Sequence, residues 1–283
     1  MAILVCTAAL AEGRSGYGSR VPLLLVDLDN TLIDRAGAFD RWARGFASER
    51  GLASSLGVAS SLGFASERGL ASSLGVASSL GFASERGVAA AGGGGGAADA
   101  EWLVAADRDG LESRERLAAM IGERFGLDAR GEAGLLAELR GGLVRQLVPD
   151  AAVTRALRDA RAAGWVPFVV TNGTVAQQER KLRRAGLDRD VAGWVISEGT
   201  GLRKPDPAIF QLAAARAGQP LDGAWMIGDS AEADISGARN AGLPGIWLHR
   251  GRAWPLATCQ PAHVADSFPH AVEILLDLGG CGR

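Results

Sequence analysis

Residues 21–31 read Val-Pro-Leu-Leu-Leu-Val-Asp-Leu-Asp-Asn-Thr, an apolar run ending in two carboxylates one residue apart. A continuous apolar run of this length suits a strand of a parallel sheet covered on both faces. Such a strand delivers the chain at its carboxyl end, where open α/β sheets place their ligands. In extended geometry Asp27 and Asp29 point the same way. Two like charges held that close are costly unless a cation sits between them or one carries a proton. Both solutions serve phosphate chemistry.

The region from Pro149 onward alternates strands and helices. Helix 150–163 leads to strand Trp165–Thr171, helix 174–185 stops at Gly186, and strand Trp194–Ser197 follows. Helix 207–217, strand Ala224–Gly228, helix 231–241, strand Ile246–Leu248, strand His263–Ala265 and helix 269–278 complete the series. With strand 22–27 these predict a mostly parallel, doubly wound α/β sheet of Rossmann-like type. The connections are short enough for right-handed crossovers.

The intervening segment reads differently. Residues 35–44, 101–108, 112–125 and 132–147 carry apolar side chains at three- and four-residue spacing, the pattern of amphipathic helices. The expected organisation is an N-terminal extension over 1–20, an α/β core over 21–35 and 148–283, and an inserted helical unit over 36–147. That unit is interrupted over 45–98. There GFASERGLASSLGVASSL at 45–62 recurs unchanged at 63–80, a third copy begins at 81, and a glycine run occupies 92–96. Each interior glycine costs a helix roughly 1 kcal/mol, and Phe46, Leu52, Leu56, Val58 and Leu62 make no single stripe. The repeat reads as a recent tandem duplication, disordered or weakly helical, and the extension over 1–20 as disordered.

Composition narrows the partners. At 47% hydrophobic and 22% charged residues the chain is globular in type, and its net charge of −2 gives no reason to expect nucleic acid or an anionic membrane. No apolar stretch reaches the length of a membrane span, and the start lacks the basic residues of a secretory signal. Cys6, Cys259 and Cys281 are few and without metal-ligand spacing, which predicts a reduced, cytoplasmic setting. His249, His263 and His270 show no metal spacing either. The basic run ERKLRRAGLDR at 179–189 reads as a solvated helix face.

Three further strand ends carry polar residues that can join Asp27 and Asp29. Thr171-Asn172-Gly173 offers a hydroxyl and backbone N–H groups before a helix, an arrangement that binds anions but is also ordinary turn chemistry. In Arg203-Lys204-Pro205-Asp206-Pro207, Asp206 fits a helix N-cap and Pro207 the first helical position. Lys204 stands apart, because it and Lys181 are the chain's only lysines while the other 28 of its 30 basic residues are arginine. A compact ammonium at a strand end can act as a point charge on phosphate. Gly228-Asp229-Ser230-Ala231-Glu232-Ala233-Asp234 closes another apolar strand. Asp229 there can face Asp27 across a divalent cation or cap the next helix; Glu232 reads as a stabilising acid in a first helical turn. Arg35, Arg41, Trp42 and Arg44 read as surface and packing residues more than as substrate contacts.

These four motifs, DLDNT at 27–31, TNG at 171–173, RKPDP at 203–207 and GDSAEAD at 228–234, resemble in order those of the haloacid dehalogenase superfamily of hydrolases, phosphatase type. The resemblance covers about 21–35 and 149–275 and identifies the 36–147 insertion with a helical cap placed between the first and second motifs. It implies a Mg²⁺-dependent phosphatase of small phosphorylated metabolites. Asp27 would be the nucleophile that forms an aspartyl-phosphate, and Asp29 the general acid and base. Thr171, Asn172 and Lys204 would hold the phosphoryl oxygens. The metal would rest on Asp27, Asp229 and the Asp29 carbonyl, with Asp234 in support. A phosphotransferase using the same intermediate, or a non-catalytic interaction protein on this fold, are the alternatives.

Overall fold

A computed structural model describes residues 22–55 and 95–280 of the chain. The first strand, β1 (Leu23–Val26), is completely buried. Its side chains divide by the period of two that a strand imposes. Leu24 and Val26 enter one core cluster, Leu23 and Leu25 another on the opposite face. A strand covered on both faces is what the unbroken apolar run demanded.

The other strands are β2 (Val166–Thr171), β3 (Trp194–Ile196), β4 (Trp225–Gly228), β5 (Gly245–Leu248) and β6 (His263–Ala265). They pair in the order β3-β2-β1-β4-β5-β6, every pair parallel. The order reverses direction at β1, so β1, β2 and β4 bring their carboxyl ends side by side at a topological switch point.

Helices outside the insertion cover the two faces. The insertion supplies α1 (Arg35–Ser55), α2 (Gly95–Asp107), α3 (Arg114–Phe125) and α4 (Ala129–Gly141). Next come α5 (Ala151–Ala162), α6 (Val175–Ala185) and α7 (Pro207–Ala217), then a π-helical turn (Ala231–Ser236) running into α8 (Gly237–Asn240), and last α9 (Phe268–Gly280). Residues of α5, α6 and α9 share the core of Leu24 and Val26; residues of α7 and α8 share that of Leu23 and Leu25. Start and stop signals act as their chemistry requires: Asp150, Thr174 and Asp206 accept bonds from N–H groups of the first turn, and Gly186 and Gly218 end α6 and α7 at positive φ. None of the described helices is long and apolar enough to cross a membrane.

Helices α1 to α4 form their own core of Phe39, Trp42, Phe46, Leu103, Leu117, Ile121, Leu135 and Leu139. Here the expectation for the repeat is corrected in part. Helix α1 does not stop before residue 45 but runs through Gly45 and Gly51 to Ser55. Phe46 is 6% exposed and stacks on Trp42 at 5.2 Å and edge-on to Phe125 at 5.4 Å. Burying an aromatic side chain contributes about 1.5–3 kcal/mol, more than the roughly 1 kcal/mol a single glycine costs. Packing thus overrides propensity at the start of the repeat. Residues 56–94, with the rest of the repeat, and the extension over 1–20 lie outside the described residues.

Two smaller differences concern helix ends. The helix expected over 231–241 opens as a π-helical turn, and the one expected over 132–147 ends at Gly141 and continues as a 3₁₀ segment, Gly142–Gln146.

Candidate active site

The site lies where β1, β2 and β4 end. Asp27 follows β1 directly and is 7% exposed, its backbone N–H donating to the Ile227 carbonyl at 3.0 Å. Lys204 reaches it from the loop before α7. The Lys204 ammonium has three protons and three acceptors: Asp27 Oδ1 at 2.6 Å, Asp234 Oδ1 at 2.6 Å and the Val170 carbonyl at 2.7 Å. Asp234 is fully buried, and its second oxygen accepts the Ser230 N–H at 2.9 Å. Gly228 makes this packing possible, since a Cβ there would collide with the Asp234 carboxyl.

Asp29 turns to α6 instead. Lys181 Nζ lies 2.7 Å from each of its oxygens. Gln178 Nε2 donates to Asp29 Oδ2 at 2.9 Å and to Thr171 Oγ1 at 2.7 Å. Thr171, at the end of β2, is 1% exposed. The Asn172 side chain turns to the lysine loop: Nδ2 donates to the Lys204 carbonyl at 3.0 Å and Oδ1 accepts the Lys204 N–H at 2.9 Å. Its side chain pins the lysine loop.

Asp229 follows β4. Its Oδ2 accepts from Arg250 at 3.0 Å and Arg252 at 3.1 Å, both on the loop after β5. Ser230, not Asp229, caps the next helix, accepting the Ala233 N–H at 3.1 Å. Arg250 also donates to Asp109 Oδ2 at 2.6 Å, and Asn30 Nδ2 donates to Asp109 Oδ1 at 3.1 Å. Asp109 belongs to the turn between α2 and α3, so the helical unit reaches the site through this carboxylate. Asn30, Arg108, Asp109 and Arg250 are the non-glycine residues with positive φ among the described residues. Asn30, Asp109 and Arg250 are joined by hydrogen bonds at this junction and Arg108 precedes Asp109 in the chain; such backbone outliers cluster at functional sites.

The charges do not balance. Asp27, Asp229 and Asp234 bring carboxylate oxygens within 4.8 Å of one another around the Lys204 ammonium, and the two guanidiniums on Asp229 are shared with Asp109, leaving four carboxylates to three cations. Burial pushes the Asp27 carboxyl well above the usual range, and the Asp234 and Asp229 charges add to this against the pull of Lys204. Asp229 is pushed up to about 6 by burial and by the Asp234 charge, against Arg250 and Arg252. Burial opposes the charged form of Lys204, but Asp234 and Asp27 outweigh it and hold the ammonium protonated above the usual lysine range. For Asp29 the balance reverses: burial raises it, Lys181 outweighs burial, and the carboxyl is held below the ordinary range.

This donor set fits a divalent metal. Asp234 has both oxygens engaged within the protein, whereas Asp27 Oδ2 and Asp229 Oδ1 accept no hydrogen bond from the described residues. Those two hard oxygens adjoin the excess negative charge that a cation would offset.

Residues read as packing behave so. Arg35 is 2% exposed and bonds Asp107 through both terminal nitrogens at 2.6 Å; Arg41 donates to the Gln146 carbonyl and Arg44 to Asp40. Trp42 is in the helical core, and His249 pairs with Asp266. The motifs did not reveal Lys181, Gln178, Asp109, Arg250 or Arg252. For Lys181 a signal existed: with Gln178, Leu182 and Ala185 it falls on the buried stripe of α6, and it is one of only two lysines.

Known proteins resemble the chain. Phosphoserine phosphatase of Thermus thermophilus is 34% identical over 151 residues, 50% of this chain and 60% of that one. Pyrimidine 5'-nucleotidase YjjG of Escherichia coli is 44% identical over 109 residues, 38% of this chain and 48% of that one. The matches thus span about half the length of these curated relatives. Among solved structures, the HAD-hydrolase YfnB from Bacillus subtilis, described as bound to magnesium, superposes with a TM-score of 0.58 at 21% identity, covering 90% of this chain and 99% of that one. At that identity the likeness concerns the fold. Residues 21–242, which include all four strand-end motifs, match the haloacid dehalogenase-like hydrolases, and the chain belongs to that family.

Proposed function

We propose that the protein is a Mg²⁺-dependent phosphatase of small phosphate monoesters, working through an aspartyl-phosphate on Asp27. The observation that carries this reading is the pairing of Asp27 with Lys204 beside Asp229, with Asp29 two residues on. The named activities of the relatives, on phosphoserine and pyrimidine nucleotides, support a phosphate ester as substrate.

One oxygen of the Asp27 carboxylate attacks phosphorus while the bond to the ester oxygen breaks. Asp29 gives that oxygen its proton. That proton arrives with the monoanion of the ester: Asp29, ionised beside Lys181 in the free protein, takes it on one oxygen and keeps the other on Lys181. Water then attacks phosphorus, Asp29 takes its proton, and the acyl–phosphate bond breaks to release inorganic phosphate and restore the Asp27 carboxylate. Thr171 and Lys204 hold the phosphoryl oxygens, and Asn172 keeps Lys204 in place. Asp234 holds Lys204 from behind. Asp27, Asp229 and the Asp29 carbonyl would hold Mg²⁺, which when bound would supply charge neutralisation on the transferred group. The helical unit over 36–147 serves as a cap on the core formed by 21–35 and 148–283, with Asp109 as its contact to the site.

The test is phosphate release from O-phosphoserine, pyrimidine nucleotides, sugar phosphates and an aryl phosphate, with and without Mg²⁺. Metal-dependent release that is lost in Asp27→Asn is the expected result. Release that survives in Asp27→Asn, or no release from any ester by folded protein, overturns the reading.

A further inference from the structure

We infer that Lys181 and Gln178 of α6 are positioning residues that hold the Asp29 carboxyl and the Thr171 hydroxyl as one unit. The inference rests on the phosphatase reading for what the unit does, and on geometry for its existence.

The chain uses arginine for 28 of its 30 basic residues and lysine only at 181 and 204. Each lysine is buried, and each clasps one of the two carboxylates of the first motif. Lys181 is 7% exposed. Taking an ammonium out of water is expensive, and replacing a buried ion pair by apolar side chains often stabilises a protein. Stability alone therefore gives no reason for a lysine on the buried stripe of α6. Its geometry gives one. Bonds of 2.7 Å to both Asp29 oxygens, and a third of 2.9 Å from Gln178 to Oδ2, fix the plane as well as the place of the carboxyl.

Gln178 extends the control. Its amide nitrogen has two protons: one goes to Asp29 and the other to Thr171 Oγ1 at 2.7 Å. A hydroxyl whose oxygen is already accepting keeps its own proton to donate; here that proton rests on the Asn172 carbonyl at a long 3.4 Å, a weak partner that a phosphoryl oxygen can replace. Gln178 and Lys181 are spaced i, i+3, on one side of the helix. That helix is anchored at its start by the Val175 N–H to Glu198 and along its length by Leu182 and Ala185 in the core. Both side chains thus stand on a rigid base, the condition for holding a site to sub-ångström tolerance.

A double-mutant cycle decides the matter. Lys181→Met keeps the volume of the side-chain stem, and Lys181→Ala leaves a space that a small amine can fill. Each is expected to lower kcat by about 10–100-fold, part of what acid–base catalysis supplies, with KM changed much less. Lys181→Met in an Asp29→Asn background should cost nothing further, because residues acting through one another are non-additive. Ethylammonium should restore turnover in Lys181→Ala but not in the double variant. Losses that multiply across the cycle, or rescue that ignores Asp29, overturn the inference while leaving the phosphatase reading intact. If wild-type protein hydrolyses no ester, that reading fails separately. Crystal structures of wild type and Lys181→Met then judge the positioning: a displaced Asp29 carboxyl supports it, and an unmoved one overturns it. A Lys181→Ala variant that does not fold is replaced throughout by Lys181→Met.

Discussion

Asp234 touches no position where substrate would sit, yet the site depends on it. It is fully buried, it holds Lys204 with one oxygen and the Ser230 N–H with the other, and Gly228 leaves it room. Gly228→Ala should push Asp234 aside and loosen Lys204 with it. We expect a stability loss of about 1–3 kcal/mol, the usual cost of overpacking, read from urea unfolding, together with a fall in kcat. Asp234→Ala should cost more, about 3–5 kcal/mol, because it strips a buried ammonium of a partner. A Gly228→Ala variant as stable as wild type would show that the carboxyl has another place to go. Much at this scale was legible. Asp27, Asp29, Thr171, Lys204, Asp229 and Asp234 all stand in short motifs at strand ends, and the structure brings them together. Lys181 was hidden by company: in a run of five basic residues within eleven, composition points to solvent and only the helical phase points inward.

Between elements, the central tie of the helical unit is Asp107 at the end of α2. It accepts both terminal nitrogens of Arg35 from α1 and one of Arg114 from α3. Burial raises the Asp107 carboxyl, but the Arg35 hydrogen bonds and charge outweigh burial and hold it below its ordinary value of 3.8. A carboxyl lowered by folding contributes stability that is present above its unfolded pKa and lost as pH falls through the folded one. Asp107→Asn should therefore be less stable than wild type at pH 7, by about 3–5 kcal/mol for a broken buried pair. The gap should narrow below pH 3.8 as the wild-type carboxyl takes up its proton. Urea midpoints for both proteins at pH 7 and near pH 3 give the two differences, and a constant gap would refute the linkage. Helix existence was readable here from apolar spacing, whereas the extent of α1 was not. Its continuation through Gly45 and Gly51 depends on Phe46, stacked on Trp42 one turn back, meeting Phe125, a contact between segments far apart in sequence.

At the scale of the whole molecule, strand count and parallel direction followed from alternation and short connections, but the order of strands did not. The reversal at β1 is what sets four distant motifs side by side, and no local pattern encodes it. Nor did any pattern announce Asp109, which links the helical unit to Asn30 and, through Arg250, to Asp229. These partners are partly exposed, so Asp109→Asn should change unfolding free energy by less than about 1 kcal/mol. Mg²⁺ binding should weaken nonetheless, because an Arg250 released by Asp109 stays on Asp229. Calorimetric titration of the two proteins makes the comparison, and equal affinities would mean that the junction does not reach the carboxylates proposed to hold the metal.

The placement of the two lysines has a practical consequence. Apart from the terminal amine, every primary amine of the chain sits at this one site, buried and hydrogen-bonded. An acylating reagent can reach Lys181 only when the face of α6 parts from Asp29, and Lys204 only when the strand ends open. Timed acylation read by mass spectrometry is thus a built-in clock for opening of the site, one channel for each carboxylate, with no surface lysine to blur the signal.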